Sequence, residues 1–339
     1  MAAVPPQAEM SRFAVLGATS WGVTLAWLLH ANHNDVVLLT RTSAEADSVR
    51  EEHGLARLPE LHLPRDVHVQ PVPAPPGLDG AIIAVPAQAL RASVAASGLA
   101  RDIPVLSAAK GIDHTGGLRM SQVLGELGWP PGLVAAISGP NLAHEIARGL
   151  PAAAVVASAS KETAEVWQRA LAGPAFRIYT SFDLTGVELA GAYKNVIAIA
   201  AGAAWGLDFG ANTVSTIMTR GLAEMARLGV AFGCDPLTFQ GLAGVGDLAT
   251  TCFSPLSRNR RFGELLAGGR TVDEARTEIG EAIEGIATSG VALELAREAG
   301  VELPICAEVA AVVAGEKTVA EAMLSLLARP LRPEAGSAS

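Results

Sequence analysis

From Arg12 to Ser181 the chain alternates short apolar runs with segments of helical apolar spacing, and this alternation restricts the fold more than any other feature. The apolar runs lie at Phe13–Gly17, Val36–Thr40, Val67–Gln70, Gly80–Val85, Ile103–Ser107, Leu133–Ser138, Ala153–Ala157 and Phe176–Thr180. Strands that alternate with helices form a parallel sheet covered by helices on both faces. We therefore predict an α/β fold in which residues 12–181 form a doubly wound parallel sheet.

The pattern changes after Ser181 to long segments with helical spacing and few β-branched runs. These segments are Leu184–Ala204, Thr213–Leu228, Glu281–Ala299 and Val319–Leu327. The chain has 339 residues, and chains longer than about 250–300 residues usually divide into two domains. We predict an all-α second domain over residues 182–329, with loose tails at residues 1–11 and 330–339.

Charge and cysteine content exclude several classes of protein. A net charge of −9 provides no general basic surface for nucleic acid, so any phosphate site must be local. The three cysteines and seven histidines lack the spacing of a disulfide framework or a metal site, and we expect neither. This usage is typical of a cytoplasmic protein. Glycines interrupt the apolar stretch Phe13–Leu29, which therefore indicates a strand, a turn and a helix rather than an integral membrane segment.

A glycine-rich turn, Gly17-Ala-Thr-Ser-Trp-Gly22, joins the first predicted strand to the first predicted helix. The dinucleotide fingerprint of Rossmann-type domains occupies this position, where its first glycine permits a tight turn and its last permits close helix packing. Thr19 stands where a second glycine normally lets the backbone approach the pyrophosphate, so we expect its side chain in the path of the cofactor. A plain strand-to-helix connection is the alternative interpretation.

The second predicted strand ends in Thr40-Arg41-Thr42-Ser43, without the acidic residue that would bind both ribose hydroxyls of NAD. We expect nothing acidic there to repel a 2′-phosphate, which Arg41 can bind with charge-assisted hydrogen bonds. The expected cofactor is NADPH or NADH, with NADPH preferred or both used. A solvated surface arginine is the alternative for Arg41.

Lysine is rare in this chain, and two of its four lysines lie in uncharged surroundings. Lys110 follows a predicted strand, at the strand ends where open α/β sheets bind ligands. Lys194 lies inside the apolar segment Leu184–Ala204. Burial lowers the pKa of a lysine toward neutrality, so Lys194 is the candidate general acid/base. The alternative is a structural lysine that pairs with a buried carboxylate.

Three turns in the sequence supply candidate substrate contacts. Asp247 leaves a glycine-rich turn and can pair with a buried lysine. Ser257, Arg258 and Asn259 open a predicted helix, whose free N–H groups and dipole favour a phosphate. A helix cap with solvated arginines is the alternative there. The turn Ser138-Gly-Pro-Asn141 also begins a predicted helix and directs a polar side chain toward the cleft.

Taken together, these residues resemble bacterial NAD(P)-dependent glycerol-3-phosphate dehydrogenase from about Arg12 to Ala328. The matching motifs are Ser20–Gly22, Lys110–Ile112, Ser138–Pro140, Gly186–Ala198, Thr219–Met225, Gly241–Leu248, Ser257–Asn259 and Glu284–Gly285. The resemblance implies an enzyme that interconverts dihydroxyacetone phosphate and sn-glycerol 3-phosphate by hydride transfer with NAD(P)H. It also implies a cytoplasmic homodimer that supplies glycerol 3-phosphate for phospholipid synthesis.

The resemblance assigns roles to individual residues. It implies that Lys194 is the proton acceptor. Our own hypothesis adds Lys110, which polarises the carbonyl or holds the substrate, and Asp247, which orients Lys194 and balances its charge, to the catalytic group. The implied substrate contacts are Lys110, Gly139, Asn141, Lys194, Asp247, Ser257, Arg258 and Asn259. The implied cofactor contacts, with Gly17 and Gly22 of the turn, are Ser20, Trp21, Arg41, Lys110, Ala143, Arg258, Ile283 and Glu284.

Two residues depart from the family pattern. Thr19 replaces the usual second glycine, and Asn141 stands where bacterial members often carry Ser or Thr. Two other functions stay open at this point. One is a related dehydrogenase of another small hydroxy acid or sugar phosphate, and the other is a catalytically weakened paralogue that senses NADPH, for which Thr19 is the argument.

Overall fold

The computed structural model describes residues 10–330, so residues 1–9 and 331–339 of the two predicted tails lie outside the described residues. The strands are β1 (Arg12–Leu16), β2 (Asp35–Thr40), β3 (His68–Pro71), β4 (Gly80–Ile83), β5 (Val105–Ser107), β6 (Val134–Ser138), β7 (Ala152–Ser158) and β8 (Phe176–Ser181). The helices as far as the end of the sheet are α1 (Ser20–Ala31), α2 (Ser43–Glu52), α3 (Ala87–Ala96), α4 (Met120–Glu126), α5 (Ala143–Ala147) and α6 (Lys161–Leu171). The helices that follow the sheet are α7 (Leu184–Gly206), α8 (Gly210–Ala231), α9 (Pro236–Gln240), α10 (Asp247–Phe253), α11 (Arg258–Ala267), α12 (Val272–Ile279), α13 (Glu284–Ala299), α14 (Pro304–Val313) and α15 (Val319–Leu327). The predicted fold class, an α/β sheet followed by helices, is confirmed.

The strands form one sheet in the order β3-β2-β1-β4-β5-β6-β7-β8. The first six strands by number are parallel to one another, and the strand order reverses between β1 and β4. Doubly wound sheets bind ligands in the crevice at such a reversal, outside the carboxyl ends of the strands. The turn that begins at Gly17 follows β1 and therefore lies at this crevice.

The prediction of a wholly parallel sheet is wrong at one pair, because β7 runs antiparallel to β6. The connection between these strands contains only the five-residue helix α5, which is about 8 Å long. A five-residue strand is about 16 Å long, so this helix cannot return the chain to the starting end of β6. The longer helix α6 does return it, and β8 is parallel to β7.

Helix α7 forms the centre of the helical half, and every residue from Gly186 to Ala204 is buried. It crosses α11 with the two backbones in contact. A Cβ atom at Gly202 would lie 1.9 Å from the carbonyl oxygen of Arg260, and one at Gly263 would lie 2.0 Å from that of Ile199. The two glycines thus fix the position of α11 against α7. None of the helices between residues 10 and 330 is long and apolar enough to cross a membrane.

Candidate active site

Lys194 projects from α7 to two oxygen acceptors on α10 and is buried. Its Nζ lies 2.5 Å from Oδ1 of Asp247 and 2.7 Å from Oγ1 of Thr251. Asp247 and Thr251 are four residues apart on α10, so their side chains share one face of that helix. The lysine is therefore held by a carboxylate and a hydroxyl from the same helical turn.

Lys110 reaches the same carboxylate from the sheet. Its Nζ lies 2.6 Å from Oδ2 of Asp247 and 2.8 Å from the carbonyl oxygen of Gly139. Gly139 follows β6 with φ +132, and a Cβ there would lie 3.0 Å from Cα of Ala154, so glycine is required at this turn. Ser138 also donates to Oδ2 of Asp247 at 3.3 Å. One buried carboxylate thus joins a lysine from the sheet to a lysine from the helical half.

The surroundings of this cluster change the pKa values of two of its members. The pKa of Lys194 is lowered to about 8, chiefly by burial; the charge of Asp247 opposes this shift and the charge of Lys110 adds to it. Burial alone would raise the pKa of Asp247, but the charges of Lys110 and Lys194 outweigh it and hold that pKa below its usual range. Lys194 can therefore give up and regain a proton near neutral pH while Asp247 stays ionised.

A chain of side-chain amides supports the cluster from behind. Asn195 donates to the carbonyl oxygen of Lys110 at 2.9 Å and accepts from Nδ2 of Asn259 at 2.9 Å. Asn259 in turn accepts from the N–H of Gly285 at 3.0 Å. Sequence reasoning assigned no role to Asn195. The available signal was its position as the polar neighbour of Lys194 in an otherwise apolar segment.

The start of α11 carries the residues predicted to bind phosphate. Ser257 caps the helix by accepting from the N–H of Arg260 at 3.2 Å. Arg258 is half-exposed, with Nη1 3.5 Å from a carboxylate oxygen of Glu281, and Asn259 is buried. Ser257 is thus occupied as a helix cap, while the guanidinium of Arg258 stays accessible for an anion at the helix N-terminus.

Asn141 lies in the turn after β6 with both amide atoms buried and without a hydrogen-bond partner within residues 10–330. Buried side-chain amides nearly always have partners, so this amide is suited to binding a ligand. The prediction that a helix starts at Pro140 and Asn141 is wrong in its bounds, because α5 begins at Ala143 after the cap residue Leu142. The turn is longer than predicted and leaves Asn141 outside the helix.

The turn after β1 has the backbone geometry of a dinucleotide site. Gly17 has φ +115, and a Cβ atom there would lie 3.0 Å from the carbonyl oxygen of Ala84. A Cβ at Gly22 would lie 2.0 Å from the carbonyl oxygen of Gly17. The hydroxyl of Thr19 donates to the carbonyl of Ala84 at 2.8 Å and accepts from the N–H of Gly22 at 3.0 Å. Both hydrogen bonds direct the hydroxyl of Thr19 into the protein, and the expectation that this side chain stands in the path of the cofactor stays a prediction.

Arg57 holds the same turn from a distant loop, a contact that sequence reasoning missed. Its Nη2 donates to the carbonyl oxygen of Ala18 at 2.7 Å, and its Nε lies 3.3 Å from Oγ of Ser20. The indole N–H of Trp21 is buried and has no partner among the described residues. The glycine cradle and this free donor fit a bound dinucleotide. No local pattern marks Arg57, because the fold alone brings it to the turn.

The end of β2 contains a carboxylate that the sequence analysis did not expect there. The side chain of Arg41 is exposed, and its backbone N–H donates to Oε2 of Glu45 at 2.9 Å. The expectation of nothing acidic at this strand end is therefore wrong. Glu45 escaped notice because it follows the strand by five residues and returns through the first turn of α2.

Glu284 joins the helical half to the sheet. It begins α13 after the buried cap residue Ile283, and its Oε1 accepts from the N–H of Ala87 at the start of α3 at 3.0 Å. Burial raises the pKa of Glu284, while the N–H of Ala87 and the charge of Arg258 oppose that shift. Among the remaining predicted cofactor contacts, Ala143 is the first residue of α5.

Family models match nearly the whole chain. The model of the N-terminus of NAD-dependent glycerol-3-phosphate dehydrogenase matches residues 12–164, and the model of its C-terminus matches residues 183–324. The chain is 44% identical over 330 residues to glycerol-3-phosphate dehydrogenase (NAD(P)+) of Corynebacterium diphtheriae. The alignment covers 95% of this chain and 100% of that relative. The chain is 45% identical over 336 residues to the enzyme of the same name from Thermobifida fusca, covering 96% of this chain and 99% of that relative.

Solved structures show the same similarity. The crystal structure of glycerol-3-phosphate dehydrogenase from Coxiella burnetii has a TM-score of 0.89 and 34% identity, covering 94% of this chain and 99% of that one. A D-mandelate dehydrogenase complex with NADH has a TM-score of 0.61 at 16% identity, covers 92% of this chain and 99% of that one, and shares the fold alone.

Proposed function

The chain belongs to the NAD-dependent glycerol-3-phosphate dehydrogenase family, and from that premise we propose how its own residues perform the reaction. It interconverts dihydroxyacetone phosphate and sn-glycerol 3-phosphate with NADH or NADPH. The observation that carries the residue assignment is the cluster in which Lys194 and Lys110 share the carboxylate of Asp247. When bound, the nicotinamide cofactor supplies or accepts the hydride at C2 of the substrate.

Lys194 moves the proton. In the reducing direction its ammonium group protonates the oxygen that develops negative charge on C2, and in the oxidising direction its neutral amine removes the hydroxyl proton. A pKa of about 8 suits both directions, since general acid/base catalysis is most efficient near the working pH. Asp247 orients the amine through Oδ1 and balances its charge.

Lys110 polarises the carbonyl from the other side of the carboxylate. Its amine is held by Asp247 and by the carbonyl of Gly139, so its direction is fixed before substrate binds. Fixed donors aimed at a developing oxyanion lower the barrier without reorganising during the step. The amide of Asn195 supports this geometry by bonding the backbone of Lys110.

The substrate phosphate binds at the start of α11. Arg258 supplies a charged fork and the helix N-terminus supplies a favourable dipole. The family resemblance adds Ser257, Asn259 and the unpartnered amide of Asn141 as substrate contacts. On the cofactor side, we propose that Gly17, Gly22, Ser20, Trp21, Arg41, Lys110, Ala143, Arg258, Ile283 and Glu284 hold the dinucleotide. These assignments follow the family resemblance and the fit of the glycine turn.

A comparison of phosphorylated and unphosphorylated substrates tests this function. We expect oxidation of NADH or NADPH with dihydroxyacetone phosphate, and a kcat/KM at least about 100-fold lower with dihydroxyacetone, because two or more charge-assisted hydrogen bonds to phosphate are lost. Equal rates would contradict the phosphate site. Turnover of another hydroxy acid or sugar phosphate in preference would favour the related-dehydrogenase alternative. Tight NADPH binding without any turnover would favour the alternative of a catalytically weakened NADPH sensor.

We also propose that the protein is a cytoplasmic homodimer, that it supplies glycerol 3-phosphate for phospholipid synthesis, and that its domains divide between residues 181 and 182. The outer face of the edge strand β8 supports the dimer. The side chains of Phe182, which follows β8, and of Leu237 on α9 are 70% and 66% exposed. Oδ2 of Asp183 accepts from the N–H of Asp235 at 3.0 Å and so joins the segment after β8 to the start of α9. An apolar cleft of about 380 Å³ beside Tyr179 adjoins this face. A second copy would cover both, as exposed apolar patches commonly mark subunit interfaces.

A further inference from the structure

Glu45 lies in the first turn of α2, and its carboxylate folds back to the end of β2. Oε2 accepts from the backbone N–H of Arg41 at 2.9 Å, and the N–H of Glu45 donates to Oγ1 of Thr42, the cap of α2, at 3.2 Å. This arrangement is a reciprocal cap in which the acidic side chain reaches one residue further back than in the usual capping box. The carboxylate is thereby fixed beside the residue that follows the strand.

The end of the second strand is where Rossmann-type domains bind the adenosine ribose. A 2′-phosphate at this position would contact the guanidinium of Arg41 and the N–H groups of Ser43 and Ala44 in the first turn of α2. Those two N–H groups have no carbonyl acceptor within the helix, as is usual for a first helical turn. The 2′-phosphate would also meet the negative charge of Glu45. The 2′-hydroxyl of NADH has no charge, so only the phosphorylated cofactor experiences this repulsion.

We propose that Glu45 is a specificity-determining residue that weakens the binding of NADPH and opposes the attraction of Arg41. The opposed pair brings the affinities for NADPH and NADH close together, so that the chain uses both. This inference rests on the proposed function, because it takes the end of β2 to be the ribose site of the cofactor. Like charges a few ångströms apart in water should change the dissociation constant of NADPH by roughly fivefold.

Direct binding of each cofactor to Glu45→Gln tests the proposal. The glutamine keeps an oxygen acceptor for the N–H of Arg41 and removes the charge. We expect the Kd of NADPH, measured by nucleotide fluorescence without substrate at low ionic strength, to fall roughly fivefold, and that of NADH to change less than about twofold. The difference in NADPH affinity between Glu45→Gln and the wild type should become smaller at high salt, where the Debye length is shorter. Arg41→Ala should have the opposite effect, raising the Kd of NADPH far more than that of NADH.

Glu51→Gln is the matched control, because it makes the same charge change on an exposed residue of the same helix, about 9 Å further along the axis. An equal fall in the Kd of NADPH for Glu51→Gln would show that the effect comes from the net charge of the protein and would overturn the proposal. Weaker NADH binding in Glu45→Gln would show instead that the carboxylate binds the ribose hydroxyls. An unchanged ratio of the two Kd values overturns the inference and leaves the proposed function intact. Failure of the wild-type protein to bind either cofactor overturns both.

Discussion

At the scale of single residues, the site depends on contacts that join distant parts of the chain. Lys194 and Asp247 could be picked out from the sequence because a lysine in an apolar helix and an aspartate after a glycine-rich turn are both unusual. Asn195, Arg57 and Glu45 could not, because their roles exist only through partners that folding brings near. The two hydrogen bonds of the Thr19 hydroxyl, to the carbonyl of Ala84 and from the N–H of Gly22, were likewise not predictable from the sequence.

The reactivity of Lys194 leads to a prediction about pH. Reduction needs the ammonium form, so its kcat/KM should fall as pH rises through about 8, whereas oxidation needs the neutral amine and its kcat/KM should rise over the same range. Lys194→Ala should lower kcat in both directions by about 100-fold or more. Initial rates between pH 6 and 10 measure both effects.

The matched control for that prediction is Lys161→Ala, which removes a lysine that is 68% exposed on α6. It should keep the wild-type rate and pH profile. A folded Lys194→Ala enzyme with near-normal turnover, or a profile that runs in the same direction for both reactions, would contradict the assignment.

At the scale of elements, periodicity predicted the strands and the longest helices, and it failed where tertiary contacts decide. The direction of each strand in the sheet is one such case, because the antiparallel direction of β7 depends on the length of α5. Helix α12 was missed although Thr271 and Glu274 form a capping box at its start; its segment is short and mostly polar. Helix α14 was missed because the nine residues after Pro304, which are apolar except for Glu308, do not distinguish a helix from a buried strand.

The crossing of α7 and α11 leads to a second prediction. Gly202→Ala should lower the free energy of unfolding by about 3 kcal/mol, because the new methyl group overlaps the backbone of Arg260. It should also raise the KM for dihydroxyacetone phosphate, since a displaced α11 moves Arg258. Denaturant unfolding and steady-state kinetics measure the two effects.

Gly290→Ala is the control for this crossing, because a Cβ there has no atom within 4 Å and the position is an exposed part of α13. It should stabilise the protein by up to about 1 kcal/mol, since alanine is the better helix former. Equal stability of the Gly202→Ala and wild-type proteins would mean that the two backbones are not in contact.

At the scale of the whole molecule, the contacts that join the sheet half to the helical half include the shared carboxylate of Asp247, the bond of Asn195 to the backbone of Lys110, and the bond that Glu284 accepts from Ala87. The change of periodicity near Ser181 predicted two halves of different class. It could not predict how they meet, because a sequence pattern contains no distances between segments that are far apart in the chain.

The proposed dimer is the prediction at this scale. Phe182→Glu should leave the fold intact, since the side chain is already exposed, and should convert a particle of twice the chain mass into a monomer in sedimentation velocity. Leu327→Glu is the control, because that residue is 74% exposed on α15, outside the proposed interface. If the wild-type protein is a monomer at micromolar concentration, or if Phe182→Glu stays a dimer, β8 is not the subunit interface.

The carboxylate shared by two lysines makes the protonation of the site depend on the angle between the halves. Lys110 belongs to the sheet half, and its charge lowers the pKa of Lys194. Any hinge motion that draws Lys110 away leaves Asp247 to Lys194 alone, which raises the affinity of that amine for a proton. A motion of this kind near pH 8 would take up a proton from the buffer, and its reversal would release one.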